Sequence, residues 1–456
     1  MPRVFNKSCS NTCRYRKIKC DQAQPICGQC SRIGRYCDRA KRAPKVRQEL
    51  RHSAEQADDS SKDCGGAATP VTSPRDALQS SRTADFFQHY IAELAPWYDL
   101  SDGRRHFAVQ VPILALDEAL LFNALMALSA MHLARTSMPS ARPAAESYHG
   151  MCIHALIGLT ESDSRLLENG IALAATCLLR SYEILSEDAD PNRHLQGAYS
   201  LASQPHRGFG HDHASTGSLL LQGFWNYLRE DITFSLFGEC PLKIDLAAVF
   251  VPPSATGTDH DHLNNMSVVL GSIINGLFGR NATSSDTSWT TWIGALRGWI
   301  QQVAGTVYPF SRAAGKAVAS DLPSVRVLQD CHASAWHYFL VALCVLSSRA
   351  PAQKRQADII ELASSYQPHF SECKGREEFL EAAAMEICGI AFTSNSPAVI
   401  VNAFGPISFC ARFIHDKAVQ EDIIRHLFAC QKRTGWPVQR IVGRLEAHWK
   451  AELGHR

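Results

Sequence analysis

Apolar side chains recur at helical spacing along most of the chain from about residue 86 to residue 449. Leu120, Leu121, Ala124, Leu125 and Leu128 share one face of a helix that Asp117 is placed to cap. Trp336, Phe339, Leu340 and Leu343 form a second stripe. Ile423, Ile424, Leu427 and Phe428 form a third, just before a Gly-Trp-Pro break, and Val438, Ile441, Val442, Leu445 and Trp449 a fourth. Alternating β-branched runs bounded by turns are scarce, and no period of 20–50 residues marks a solenoid. The pattern predicts one large all-α domain of about 365 residues, assigned to residues 85–452. Residues from about 250 to 330 are rich in Ser, Thr, Gly and Asp and are read as holding long loops. Residues 48–84, polar with Cys64-Gly65-Gly66, Pro70 and Pro74, are read as a flexible linker. Leu263 to Gly279 comes nearest to a membrane-spanning run, but Asn264, Asn265, Ser267, Ser272 and Asn275 interrupt it, so no membrane partner is expected.

Charge changes this picture at one end. The net charge of +2 is the difference between two unlike parts. Residues 1–52 hold fourteen lysines and arginines against three acids, a formal +11, and the remainder carries −9. A basic head on a mildly acidic body points to a polyanion partner for the head. At 45% apolar and 20% charged, the composition is that of a globular chain rather than a disordered one. Met1 to Lys7 offers no apolar signal core, so a reducing compartment is expected, with thiols rather than disulfides. Of the sixteen cysteines, ten are scattered from Cys64 to Cys430. Those in apolar runs, such as Cys177 and Cys344, read as small buried hydrophobes.

The other six cysteines lie at Cys9, Cys13, Cys20, Cys27, Cys30 and Cys37. Eight private ligands would be needed for two tetrahedral zinc ions, so six thiolates hold two Zn2+ only if two of them bridge. A segment of about thirty residues has little core of its own, and metal binding would supply most of its folding free energy. Arg14, Arg16, Lys17 and Lys19 follow Cys13 on what reads as one short helix. Phosphate neutralisation gives such a helix affinity, and bidentate contacts to guanine edges give it specificity.

Cys13-Arg-Tyr-Arg-Lys-Ile-Lys-Cys-Asp21, Pro25-Ile-Cys-Gly-Gln-Cys30 and Gly34-Arg-Tyr-Cys-Asp38 together resemble the fungal Zn2Cys6 binuclear cluster family of transcription factors. The resemblance implies a small zinc-cluster domain ahead of the helical one, with Cys9 and Cys27 as bridges. Cys13 and Cys20 would then serve one zinc, and Cys30 and Cys37 the other. It also implies that Arg16 and Lys17 reach the bases, usually of a CGG triplet, while Arg14 and Lys19 face phosphates. Where the family has two residues between its first two cysteines, this chain has three, Ser10, Asn11 and Thr12. Cys9 and Cys13 on one helix would still share a face, and a bulge at the helix start would also accommodate the extra residue. The basic extension Arg39 to Arg47 completes a DNA-binding domain over residues 1–47, either as a nuclear import signal or as more phosphate-binding surface.

The body carries its own resemblance. Phe86-Phe-Gln-His-Tyr90, Leu120 to Leu133, Arg193-His-Leu-Gln-Gly-Ala198, Phe224 to Asp231 and Thr434-Gly-Trp-Pro437 are similar to the large fungal-specific transcription factor domain. That domain implies regulation, self-association or effector contact rather than catalysis. No Gly-x-Ser-x-Gly, His-Glu-x-x-His or P-loop argues for an enzyme. His211-Asp-His213 and Asp259-His-Asp-His262 offer metal-ligand residues but read as surface loops, and His132 and His194 read as structural. Trp225, Tyr227, Trp289, Trp292, Trp299 and Trp336 read as core. The other reading, that they line a pocket for a small-molecule effector, stays open. Val46, Leu50 and Ala54 are too few for a coiled coil, which leaves both a homodimer through the body and monomeric binding open.

The sequence therefore reads as a nuclear, zinc-dependent regulator of RNA polymerase II transcription, with double-stranded DNA and transcriptional cofactors as partners. The alternative is a nuclear interaction or corepressor protein with a degenerate DNA-binding head.

Overall fold

The computed structural model describes residue 21 and residues 73–159, 164–187, 193–202, 218–246, 257–279, 286–303, 305–313, 322–349 and 353–453. The chain divides into two units, residues 1–70 and 71–456, and all the helices and strands named below belong to the second. The six clustered cysteines, the basic residues Arg14, Arg16, Lys17 and Lys19, the extension to Arg47 and the linker as far as residue 72 lie outside the described residues.

Helix begins inside the stretch read as linker. Ser73 accepts the amide of Asp76 at 3.2 Å, and Pro74 opens a short helix, Pro74–Ala77. A side-chain cap followed by Pro at the first helical position is a strong start signal. Helix α1, Ser81–His89, follows and continues as a wider turn over Tyr90–Leu94 and a tight one over Ala95–Trp97. Residues 74–77 and 81–84 are thus helical where the sequence suggested a linker.

Next come α2, His106–Ala115; α3, Ala119–Thr136; α4, Arg142–Ile157; α5, Ile171–Ser186; and α6, Arg193–Ala202. The start of α3 differs from expectation: Glu118 is its N-cap, and Asp117 instead accepts two hydrogen bonds from Arg75, at 2.7 and 2.9 Å. Helix α7, Leu219–Gly238, packs on α5 and α6 along one side.

Residues 250–330 give the larger correction. They hold two long helices, α8, Asp259–Phe278, and α9, Asp286–Gln302. Thr258 and Asp261 cap α8 reciprocally, each side chain meeting the other's backbone amide. Leu263, Met266, Leu270, Ile273, Ile274 and Leu277 then supply a buried stripe that the intervening Asn and Ser residues disguise in the sequence. A two-stranded antiparallel ribbon, β1, Ser311–Ala313, and β2, Ser324–Arg326, pairs Arg312 with Val325.

Helix α10, Asp330–Arg349, is buried at seventeen consecutive residues, Cys331 to Ser347. A helix apolar on every side belongs in the middle of a core. It packs against α8 and against three later helices: α11, Gln353–Tyr366; α12, Arg376–Thr393; and α13, Pro397–Cys410. Helices α3 and α10 are long and apolar enough to cross a membrane by length and composition alone, yet 94% of the apolar window of α10 is buried inside this fold. The chain ends its described course in α14, Lys417–Thr434, and α15, Gln439–Leu453, both packed on α13.

Trp299 and Trp336 sit in an aromatic cluster with Phe339 and Tyr366. Their indole N–H groups are satisfied by carbonyls, Trp336 donating to Val307 and Trp299 to His262, each at 2.9 Å. All six aromatic residues weighed between core and pocket are buried in the core.

Candidate functional site

A cavity of about 450 Å³ opens between α5, α7, α13 and the start of α15. Helical periodicity brings its lining together. Helix α7 offers Glu230, Thr233, Phe234 and Phe237 at successive turns, α5 offers Arg180 and Glu183 with Glu187 just past its end, and α13 adds Val401 and Phe404.

The fourth wall depends on the break between α14 and α15. Gly435 ends α14 in the left-handed region at φ 68°, which an L side chain rarely adopts. The turn is then tied down by two amide donors: Trp436 to the Thr434 hydroxyl at 3.2 Å, and Val438 to Gln431 Oε1 at 3.0 Å. Trp436 is thereby set against Trp97 and Phe404, with ring centroids 6.1 and 6.5 Å away. Trp449, near the end of α15, donates its indole N–H to the carbonyl of Ala411 at 3.1 Å and holds the helix down.

One side of the cavity is apolar and the other is charged. Arg180, almost fully buried, reaches Glu183 at 3.3 Å and Glu230 at 3.6 Å. Glu183 also accepts the backbone amide of His194 at 3.3 Å. Glu187 pairs with Arg135 at 2.6 Å. Burial pushes the Glu230 carboxyl above its ordinary value, against the pull of Arg180 and then Arg229. Behind them a smaller cavity of about 50 Å³ shares Glu230, Thr233 and Val401 and reaches Arg229. Arg229 is fixed by bonds to Ser101 Oγ at 2.6 Å and Asn226 Oδ1 at 2.9 Å. A groove of about 340 Å³ between α14 and α15 is a weaker candidate, because several of its charges answer one another: His415 meets Glu381 and Glu452, and Lys417 meets Glu421.

The sequence-selected histidines take structural places. His132 Nδ1 lies 2.9 Å from His89 Nε2, and burial, then His89, push its pKa down to about 4. His194 Nε2 lies 3.0 Å from that of His149, whose ring stacks on Tyr182. Asp259-His-Asp-His262, read as a surface loop, is the first turn of α8. Asp261 belongs to its cap, His262 is buried, and Asp259 accepts from Gln329 and lies 2.9 Å from His332 Nε2. His211-Asp-His213 lies outside the described residues. Among the described residues no three His, Cys, Asp or Glu side chains are grouped to hold a metal ion.

The Gly-Trp-Pro break is visible in the sequence, but nothing there connects it with a site. Sequence reasoning missed Phe234, Phe237, Phe404, Trp436 and the exposed pair Arg440 and Arg444. No single segment carries that signal, because the lining spans residues 180 to 444.

No curated protein and no solved structure matches the chain. Residues 85–223, from α1 to the beginning of α7 and including the α5 side of the cavity, match the family model of the fungal specific transcription factor domain, and this match supports a transcription regulator.

Proposed function

We propose that the protein is a zinc-dependent, sequence-specific DNA-binding regulator of RNA polymerase II transcription, acting in the nucleus. The observation that carries this reading is a coincidence within one chain: a match to a transcription factor domain over residues 85–223, preceded by six closely spaced cysteines around a basic run. The donor set suits the metal, since thiolates are soft ligands and six of them satisfy two zinc ions when two bridge. Cys9 and Cys27 would bridge, Cys13 and Cys20 would complete one site, and Cys30 and Cys37 the other. Zinc would supply the fold of the head. Arg16 and Lys17 would then read base edges, of CGG-type triplets by resemblance, while Arg14 and Lys19 neutralise phosphates.

Metal analysis and DNA titration of the full chain test this. Two zinc ions per chain are expected, with tighter binding to a duplex carrying CGG half-sites than to a scrambled one. Lys17→Ala should weaken binding to the preferred duplex by about 1–3 kcal/mol and relax the preference. A chain without zinc sinks the proposal. An equal loss on both duplexes would show that Lys17 touches only phosphate.

A further inference from the structure

We propose that the cavity between α5, α7, α13 and α15 binds an amphipathic organic anion: a carboxylate on an apolar body the size of a short alkyl chain or an aromatic ring. Such binding is independent of the DNA-binding reading, because it needs only the helical body.

At about 450 Å³ the cavity is of ligand size, and its apolar wall is aromatic-rich, with Phe234, Phe237, Phe404 and Trp436. The sign of the ligand follows from which charges are already committed. Glu183 and Glu230 meet Arg180, and Glu187 meets Arg135. A cationic ligand would have to displace one of those arginines to find a carboxylate. The cations at the mouth are in the opposite state. Arg440 and Arg444 line the cavity, are exposed, and have no carboxylate partner among the described residues. The Arg444 guanidinium lies over the Phe237 ring, 5.9 Å from its centroid, at the border between charge and apolar wall.

Their place on α15 points the same way. Arg440 is the second residue of α15, Arg444 stands one turn on along the same face, and the first turn carries no acid. Cations at this end oppose the helix dipole, so the arrangement costs α15 stability while building a positive rim. An incoming carboxylate would answer both guanidinium groups and the dipole, and guanidinium binds carboxylate through paired hydrogen bonds. Its apolar body would then lie against Phe234, Phe404 and Trp436.

The test uses full-length protein and four probes: decanoate, indole-3-acetate and their uncharged amides. Calorimetric titration and thermal shift should show binding and stabilisation by the two acids, with the amides about tenfold weaker or more. Arg440→Ala/Arg444→Ala, both changes on exposed side chains, should keep or slightly raise the unliganded melting temperature, since they relieve the opposition to the helix dipole, and should lose the preference for acids. Arg440→Glu/Arg444→Glu should reverse it, favouring decylamine over decanoate. Acids and amides binding equally would overturn the proposal. So would undiminished acid binding by the alanine pair, no binding of any probe at millimolar concentration, or binding of acidic peptides but not of the small anions. Zinc content and DNA affinity do not enter these readouts, so failure here leaves the DNA-binding reading as it was.

Discussion

His337 shows how far a single polar side chain is committed inside α10. It is fully buried, its Nε2 lies 3.2 Å from the Ile387 carbonyl, and its Nδ1 has no hydrogen-bond partner among the described residues. The ring is therefore held neutral, with Nε2–H donating to Ile387. Burial lowers its pKa from the ordinary 6.5 to about 4, with the carbonyl opposing. Above pH 6.5 the ring is neutral in folded and unfolded chains alike, and stability does not change. Between pH 6.5 and 4 the unfolded chain takes a proton that the folded one refuses, so stability falls as pH falls, by up to about 3 kcal/mol from this group. Other groups slope the opposite way. Burial raises the Asp99 carboxyl to about 7, for example, so the contribution of His337 must be read as a difference. His337→Gln keeps a donor for Ile387 and removes the titration. Urea midpoints of the two proteins, compared at pH 7 and pH 4.5, should converge or cross on acidification. A gap independent of pH would show that the folded chain protonates His337 as readily as the unfolded one.

At the scale of elements, much of the helical order is legible in the sequence, and the exceptions have identifiable causes. The stripes assigned to α3, α10, α14 and α15 are buried as read, except that Ile424 is half-buried and Phe428 is 45% exposed. Helices α8 and α9 are hidden because Asn, Ser, Thr and Gly dilute their apolar periodicity. The informative residues are the cap of α8, Thr258 and Asp261, rather than the stripe. Contacts between elements are not legible at all. Gly170, which leads into α5 at φ 78°, lies where the start of α7 passes: a Cβ there would stand 2.3 Å from the Leu220 amide nitrogen. Both the left-handed backbone and the close approach demand glycine. Gly170→Ala should therefore lower unfolding free energy by about 2–5 kcal/mol, from backbone strain plus displacement of one helix against another. Chemical denaturation reads this directly, and a loss below about 0.5 kcal/mol would mean that α5 and α7 can separate without cost.

The whole molecule joins a head of charge +11 to a body of charge −9, and under the proposed zinc reading the two would use cysteine in opposite ways. The thiols proposed as zinc ligands must ionise. Several of those described in the body are held back from ionising by burial. All nine described cysteines are free, and seven are buried. Burial pushes Cys152, Cys177 and Cys331 up to about 12, and raises Cys388 and Cys410 as well. A thiol that does not ionise is a poor nucleophile. Brief treatment of the native protein with iodoacetamide should therefore label Cys240 and Cys373, the two partly exposed members, well before the other seven. Peptide mass mapping would check this, and early labelling of Cys344 or Cys388 would show that the core opens on the timescale of the reaction. The cavity also belongs to this scale. Its lining is gathered from four helices, and no window of the sequence contains enough of it to be recognised.

The position of α15 in the chain has a consequence for synthesis. The elements supplying Arg180, Phe234 and Phe404 all leave the ribosome before Trp436 and Ile441. Until those residues emerge, the growing chain exposes an aromatic trough with one wall missing. Such a surface is what chaperones bind and what nascent chains aggregate through. A compound that fits the finished cavity would favour its closure over these competing fates, and so would raise the yield of folded protein in the cell as well as its stability once made.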